Sequence, residues 1–321
     1  MHLVTHGGDS GTPVLALHGW PVDHRLMAGC LEPIFTRRAG YRRLYPDLPG
    51  MGRTPAGDAA SSDDLLAAVL ALVGEELGTT PFLLVGESYG GYLSRAVVGA
   101  LPDQVLGLAL ICPVGQTLDR AARVRPPHVV LRSTPGLLDA PAGGDSPGSG
   151  SDGTGSDSPG DGGIGTAGAG TAGADTAGAD TAGTGSGDAS GAVDGLDEAA
   201  RAEFAEYAVV QTPETLRRFR DEIVPALQAA DTAAIERIER RWHLSEGPEG
   251  PVPFERPTLF LCGRQDSSVG YVDQFALLPH YPRATFAVLD VAGHNLQIEQ
   301  PALFETLMED WLDRCAAEPP R

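Results

Sequence analysis

The chain contains no lysine, so all 23 of its basic residues are arginines, and 43 acidic residues give it a formal net charge of −20. Proteins that bind nucleic acids or anionic membranes use clustered basic side chains to neutralise phosphate groups. The shortage of basic residues therefore predicts that neither a nucleic acid nor a membrane is a partner of this protein.

Long apolar runs are also missing. The most apolar window, LLAAVLALVGEELG from Leu65, is much shorter than the roughly 20 apolar residues that a membrane span requires. The opening stretch MHLVTHGGDSGTPVLALHGW lacks the basic segment and the following apolar segment of a secretory signal. We therefore expect a cytoplasmic protein.

Cysteines are few. Cys30, Cys112, Cys262 and Cys315 lie far apart and form no C-x-x-C or Cys/His pattern of a metal site. Two of them end apolar runs, so we expect buried free thiols in a reducing compartment.

One segment, residues 141–195, consists almost entirely of Gly, Ala, Thr, Ser, Asp and Pro, and includes a five-residue repeat in TAGAGTAGADTAGADTAGTG. Such a segment cannot bury enough apolar surface to offset the entropy lost on ordering. The composition predicts a disordered linker, and we expect that its deletion leaves fold and activity intact.

Outside this segment, short β-rich runs alternate with helical patterns. Six runs are predicted strands: VLALHG from Val14, YRRLYPDLPG from Tyr41, FLLVGES from Phe82, VLGLALICP from Val105, TLFLCGRQD from Thr258 and ATFAVLDVAGH from Ala284. Helices are predicted to start near Asp23, Ser61, Ser88, Tyr271 and Pro301. This alternation, with several nearly continuous apolar strands, predicts a mostly parallel sheet flanked by helices.

The interval 113–257 interrupts the alternation. After the linker at 141–195 it contains a strongly helical stretch, 196–245, broken by two prolines. We interpret 113–257 as a helical cap inserted into a core formed by residues 1–112 and 258–321.

The sequence GESYG, from Gly86, matches G-x-S-x-G at a junction between a predicted strand and a predicted helix. In a turn this tight, side chains at Gly86 and Gly90 collide with neighbouring elements, and Ser88 is exposed at the carboxyl edge of the sheet. This context predicts a nucleophilic Ser88. The backbone amide of Tyr89, at a helix amino terminus, is a candidate oxyanion donor.

A nucleophilic serine needs a base and a carboxylate that orients the base. His294 follows the last predicted strand and Asp266 follows the preceding one, so both lie at the same sheet edge as Ser88. The motif LALHGWP places the Trp20 amide as a second oxyanion donor. His18 in the same motif is predicted to have a structural role.

These residues, with DLPGMGRT from Asp47, resemble the α/β-hydrolase fold superfamily. The resemblance covers about 12–112 and 258–315. It is strongest to single-domain capped serine hydrolases with HG-x-P and G-x-S-x-G-G motifs, a branch that includes esterases, lactonases, carbon–carbon hydrolases, haloperoxidase-like enzymes and proline iminopeptidases. Relatives that are epoxide hydrolases or haloalkane dehalogenases carry Asp where this chain has Ser88, which argues against both activities.

The resemblance implies a hydrolase that cleaves a small carboxylic ester or lactone through an acyl-enzyme. This chemistry requires neither a metal nor an organic cofactor, and the partner is a small-molecule substrate. A carbon–carbon hydrolase and a proline iminopeptidase-like enzyme remain alternatives, as does a small-molecule receptor that retains the fold with little turnover. The sequence does not indicate an oligomeric state.

Substrate contacts are predicted from the cap and from the elbow. Glu87 either contacts substrate or points into the fold, while Tyr207 and Trp242 are candidate pocket residues. Two further cap candidates are Phe204 and His243. An aminopeptidase requires carboxylates aimed at a substrate amine, for which the candidates are Glu203, Glu206 and Glu214.

Overall fold

The structure is a computed structural model that describes residues 1–116, 119, 121–138 and 195–318. The predicted linker at 141–195 lies outside the described residues apart from Gly195.

A seven-stranded sheet forms the centre of the protein, with strand order β1-β3-β2-β4-β5-β8-β9. The strands among the described residues are β1 (Leu3–His6), β2 (Thr12–Leu17), β3 (Tyr41–Pro46), β4 (Phe82–Glu87), β5 (Val105–Ile111), β6 (Arg132–Ser133), β7 (Val210–Gln211), β8 (Thr258–Gly263) and β9 (Ala284–Leu289). All six predicted strands are present and pair in parallel, which confirms the predicted sheet. The short strands β6 and β7 form a separate pair.

The sequence analysis missed β1, which pairs antiparallel with β3 at one edge of the sheet. Its four residues, LVTH, are mostly half-buried. An edge strand of this length carries neither a continuous apolar run nor a clear alternation, so periodicity could not reveal it.

The central strands β4 and β8 are buried at every position. Their continuous apolar runs fit this position because helices cover both faces of a parallel sheet. The helices and turns among the described residues are α1 (His24–Phe35), α2 (Ser62–Glu76), α3 (Ser88–Ala100), α4 (Glu198–Tyr207), α5 (Pro213–Glu222), α6 (Val224–Ala229), α7 (Thr232–Glu239), α8 (Val272–Phe275), a 3₁₀ turn (Leu278–His280), α9 (Leu296–Glu299) and α10 (Pro301–Ala316).

Helix starts agree with the predicted positions. The Asp23 carboxylate accepts a hydrogen bond from the Arg25 amide and caps α1, and the Ser61 hydroxyl accepts one from the Asp64 amide and caps α2. Each cap satisfies a backbone donor that the helix leaves unpaired. The predicted helix near Tyr271 is a single turn, α8, and the single turn α9 was not predicted.

Helices α4 to α7 lie between β5 and β8 in the chain, in a segment whose described residues add no strand to the main sheet. They form a second apolar cluster together with residues of α1 and α9: Val22, Leu26, Leu137, Leu196, Ala200, Phe204, Ala208, Leu216, Phe219, Ile223, Val224, Ala226 and Ile298. Polar contacts also join these helices to the core. Arg218 binds Glu222 at 2.6 Å and donates to the Gln297 carbonyl oxygen at 2.9 Å.

The four cysteines are free, and three of them are buried. Within the described ranges, the helices are too short or too polar for any of them to traverse a lipid bilayer.

Candidate active site

Ser88 is the first residue of α3 and directly follows β4, so the strand turns into the helix with no intervening loop. Its φ of 50° lies in the left-handed region, which non-glycine residues rarely occupy. This strain is the mark of a nucleophile elbow, in which the turn holds the serine hydroxyl out at the sheet edge.

The glycines of GESYG are required by close backbone approach. A methyl group on Gly86 would lie 2.6 Å from the Gly90 carbonyl oxygen, and one on Gly90 would lie 2.5 Å from the carbonyl oxygen of His18. Real Cβ atoms essentially never come this close, so the first turn of α3 can pack against β4 and the end of β2 only with glycine at both positions.

Ser88, His294 and Asp266 form a continuous chain of contacts. His294 Nε2 lies 2.9 Å from Ser88 Oγ, and His294 Nδ1 lies 2.9 Å from Asp266 Oδ2. The other carboxylate oxygen of Asp266 accepts hydrogen bonds from the amides of Ser268 and Val269 at 2.8 and 2.9 Å. These two bonds fix the carboxylate, which in turn orients the imidazole toward the serine.

The electrostatic surroundings of Ser88, His294 and Asp266 favour a charged Asp266 carboxylate beside the His294 imidazole. Burial by itself raises the pKa of Asp266, but the charge of His294 and the hydrogen bonds it receives lower that pKa below its ordinary value. Burial also lowers the pKa of His294, yet the Asp266 charge and hydrogen bond, together with the charge of Glu87, raise it to about 9. The imidazole is therefore a stronger base than a free histidine.

Glu87 is buried and lies beside the contacts of Ser88, His294 and Asp266. Its Oε1 is 3.6 Å from His294 Nε2, the nitrogen that faces Ser88. Burial raises the pKa of Glu87 to about 7, while the charge of His294 acts in the opposite direction. The side chain of Glu87 is inside the fold and also lines the cavity above Ser88, so a contact with substrate stays a prediction.

The turn after β2 lies directly against the elbow. A methyl group on Gly19 would lie 3.0 Å from Ser88 Cβ. His18 Nδ1 contacts the Gly19 carbonyl oxygen at 2.8 Å, and His18 Nε2 accepts the Leu48 amide proton at 3.0 Å. His18 therefore braces the turn that carries the Trp20 amide, as its predicted structural role requires. Burial lowers its pKa, which keeps this accepting nitrogen unprotonated.

A cavity of about 230 Å³ opens above Ser88. Aromatic rings form one wall, where the Trp242 ring lies 5.0 Å from that of Trp20 and 4.4 Å from that of Tyr89. The Tyr89 hydroxyl donates to Ser62 Oγ at 2.7 Å, which fixes this wall from behind. The remaining lining residues include Val22, Leu26, Val114, Tyr207, Phe219, Ile223, Leu227 and Ile235.

The structure brings Ser88, Asp266, His294, Glu87 and the side chains of Trp20, Tyr89, Tyr207 and Trp242 together around this cavity. Phe204 is not among the lining residues, and its ring packs 5.3 Å from that of Phe219, which does line the cavity. His243 is exposed, so the side chain is also outside the cavity.

The sequence analysis did not identify several lining residues that come from remote parts of the chain. Arg123 and Glu239 both line the cavity, and Glu239 accepts a hydrogen bond from Trp20 Nε1 at 3.1 Å. No local motif marks either residue. Asn295 also lines the cavity, and its position directly after His294 is the one signal that could have identified it.

Donor atoms of Cys112, Asp266 and His294 lie within 4.8 Å of one another, the spacing of a metal site. The chemistry of this set does not fit a metal. Both imidazole nitrogens contact other groups, and burial keeps the pKa of the Cys112 thiol well above its ordinary value. A metal ligand must be deprotonated, so this arrangement is suited to proton transfer.

Residues 12–132 match the family described as the alpha/beta hydrolase fold. The chain is 32% identical over 144 residues to the lipase LipV of Mycobacterium tuberculosis, a match that covers 43% of this chain and 51% of that protein. It is also 34% identical over 114 residues to a pimeloyl-[acyl-carrier protein] methyl ester esterase of Chromobacterium violaceum, covering 35% of this chain and 41% of that protein. The chain thus matches about half or less of the length of these relatives.

Among solved structures, an alpha/beta superfamily hydrolase from Oenococcus oeni PSU-1 aligns with 98% of this chain and 96% of its own, with a TM-score of 0.74 and 24% identity. At this identity the likeness shows the fold, and the sequence matches are to the same fold family. The chain has the α/β-hydrolase fold, and its residues 12–132 carry the match to that family.

Proposed function

We propose that this hydrolase cleaves a small carboxylic ester or lactone with Ser88 as nucleophile. The observation that carries the proposal is the contact chain from Ser88 Oγ through both nitrogens of His294 to the buried carboxylate of Asp266. Two of its sequence relatives are named as a lipase and a methyl ester esterase, which agrees with ester chemistry.

In the acylation step, Ser88 Oγ attacks the carbonyl carbon of the substrate and its proton passes to His294 Nε2. The imidazolium is stabilised by Asp266, which accepts the hydrogen bond from Nδ1 and remains ionised. The tetrahedral intermediate then collapses, and Nε2 returns the proton to the leaving alkoxide, which departs as an alcohol. Water then attacks the acyl-enzyme with the same proton transfers through His294, and a carboxylic acid is released.

Charge on the carbonyl oxygen develops beside the elbow, where we assign the backbone amides of Trp20 and Tyr89 as donors. The closeness of Gly19 to Ser88 supports this assignment, because it brings the turn before Trp20 against the nucleophile. Tyr89 is the second residue of α3, so its amide has no partner within the helix and is available to an anion.

The size and walls of the cavity support a small acyl group. A volume of about 230 Å³ is at the low end for ligand sites. Aromatic and aliphatic side chains make up most of the lining. We therefore propose the ester or lactone of a short neutral or apolar acid.

Pocket carboxylates favour one second candidate, a proline iminopeptidase-like enzyme. Of the three cap glutamates predicted for this role, Glu203 lines the cavity, and burial and the neighbouring Glu206 raise its pKa. Glu214 instead pairs with Arg217 at 2.5 Å on the exposed side of α5. Glu239 of α7 is a second cap carboxylate in the lining, but it accepts a hydrogen bond from Trp20 Nε1, so only Glu203 of the predicted glutamates supports an amine site. Ester cleavage therefore remains the primary proposal. A carbon–carbon hydrolase would use the same nucleophile, and a receptor would bind without turnover.

Covalent labelling tests the nucleophile first. The wild type and Ser88→Ala are exposed to a fluorophosphonate and examined by intact-mass spectrometry, with Ser94→Ala as a matched control because Ser94 is buried on the same helix. We expect a single adduct on the wild type and on Ser94→Ala, and none on Ser88→Ala. Absence of an adduct on folded wild type contradicts the proposal and favours the receptor.

A substrate panel then separates the candidates. Short acyl esters and lactones are compared with aminoacyl anilides and with a vinylogous diketone, the substrate type of a carbon–carbon hydrolase. Faster turnover of anilides with a free amine, lost in Glu203→Gln, would replace the ester proposal with the iminopeptidase.

A further inference from the structure

A second cluster of polar side chains lies outside the cavity above Ser88. Ring nitrogens of His2 and His24 and a carboxylate oxygen of Asp47 lie within 4.8 Å of one another. Three separate parts of the chain supply these residues: the segment before β1, the first turn of α1 and the loop after β3.

One feature of this cluster is incomplete without a further group. His2 Nε2 is buried, and within the described residues it has no hydrogen-bond partner. Asp47 is fully buried, and its carboxylate contacts His24 Nδ1 and accepts hydrogen bonds from the amides of His24 and Arg53. A buried nitrogen without a partner costs free energy, and a bound cation would relieve that cost.

We propose that His2, His24 and Asp47 form a binding site for a divalent transition metal, with Zn²⁺ as the ion that suits them best. Two imidazoles and one carboxylate are a typical ligand set for zinc, with water as the fourth ligand. The net charge of −20 also favours the approach of a cation.

Binding requires one local rearrangement. His24 Nδ1 and Asp47 Oδ1 are now 2.7 Å apart, as in a hydrogen bond, whereas two ligands of a tetrahedral zinc ion are about 3.3 Å apart. The proton on Nδ1 moves to Nε2 of the same ring, which frees the Nδ1 lone pair for the metal. The hydrogen bonds that Asp47 accepts from the amides of His24 and Arg53 hold the carboxylate in place while the ring shifts.

The site stands next to the turn that carries the oxyanion donor. Leu48, the neighbour of Asp47, donates its amide proton to His18 Nε2, and His18 Nδ1 contacts the Gly19 carbonyl oxygen. The metal therefore acts as a clamp on this turn and on the amino terminus of α1, and it takes no part in the chemistry at Ser88.

The test is a titration of the full chain, freed of metal with a chelator, with ZnCl₂ by isothermal calorimetry. We expect one ion per chain and a rise of about 5 °C in the unfolding midpoint once Zn²⁺ exceeds the dissociation constant 100-fold. His2→Ala should weaken binding at least tenfold. The matched control is His6→Ala, a histidine of the same segment that contacts Glu32 and should not alter binding.

The variant His24→Gln tests whether the amino terminus and His2 alone can bind Zn²⁺. The proposal requires that this variant also weaken binding at least tenfold. Circular dichroism establishes that this variant is folded, and His2→Ala alone decides the outcome if it is not. The proposal is overturned if the wild type shows no saturable binding, or if His2→Ala or folded His24→Gln binds Zn²⁺ as the wild type does.

Discussion

Replacement of Glu87 by glutamine tests whether two carboxylates set the basicity of the His294 imidazole. Three charged groups act on His294: Asp266 and Glu87 raise its pKa and Arg123 lowers it, with a net value of about 9. A base with this pKa is mostly protonated at neutral pH, so we expect kcat/KM to rise with pH through an alkaline limb. Because Glu87 Oε1 is only 3.6 Å from Nε2, its removal takes away a charge that favours the imidazolium.

The size of the effect follows from the distance. An opposite charge within about 4–6 Å shifts a pKa by roughly 1–3 units, and Glu87 is partly neutral because its own pKa is about 7. We take about 1 unit as the expected fall in the pKa of His294. At pH 8, such a fall raises the unprotonated fraction of the imidazole from about a tenth to about a half, so kcat/KM should increase about fivefold.

The assay is a pH–rate profile of kcat/KM for a neutral ester, recorded between pH 6 and 10 for the wild type and Glu87→Gln. Glu203→Gln is the matched control, since Glu203 lines the same cavity but is not among the charges that shift His294. The alkaline limb of the profile should move to lower pH in Glu87→Gln and stay in place in Glu203→Gln. A limb that does not move, or that moves to higher pH, refutes this account.

Three further substitutions test residues that shape the site, and a fourth, Gly74→Ala, serves as a control. Gly90→Ala should reduce kcat/KM at least 100-fold and lower the free energy of unfolding by about 1–3 kcal/mol, as measured in urea, because the methyl group overpacks the elbow. Gly74→Ala, in open space on α2, should instead raise the free energy of unfolding by up to about 1 kcal/mol. Glu299→Gln should lower the free energy of unfolding by about 1–3 kcal/mol in the same assay and should reduce activity. The reason is that the Glu299 carboxylate accepts hydrogen bonds from three backbone amides, and these bonds join the His294 loop to the cap. Unchanged stability would contradict this. Trp242→Ala should shift the preferred ester toward longer acyl chains without loss of fluorophosphonate labelling, and an unchanged chain-length profile would remove this residue from the pocket.

The parts of the site that could be predicted are those set by local geometry. The elbow at Ser88 was predictable because the sequence itself carries the strand, the tight turn and the glycines that the turn needs. Asp266 and His294 were predictable because each directly follows a strand of the same parallel sheet, and the carboxyl ends of parallel strands share one edge. One polar residue after each strand was enough to place the contact chain before the fold was known.

The parts that could not be predicted depend on packing between remote segments. Glu239 reaches Trp20 only because α7 lies over the turn after β2, and no sequence period encodes that contact over 219 residues. Arg123 enters the cavity from a region without helix or strand. The orientation of Glu87 was left open for a similar reason, since both of its alternatives fit a residue between a buried strand and an exposed elbow.

The charge of the cavity can now be separated from the charge of the whole chain. The net charge of −20 belongs to the whole sequence and does not give the charge of the cavity. With His294 in its unprotonated, basic form, the charged groups of the lining are the carboxylates of Glu87, Glu203 and Glu239 and the guanidinium of Arg123. Hydrolysis of a neutral ester in such a cavity creates an anion among carboxylates, so the product is repelled while the substrate is not. The same field works against substrates that already carry a negative charge, so the electrostatics of the site support the proposed neutral acyl group, as its apolar walls do.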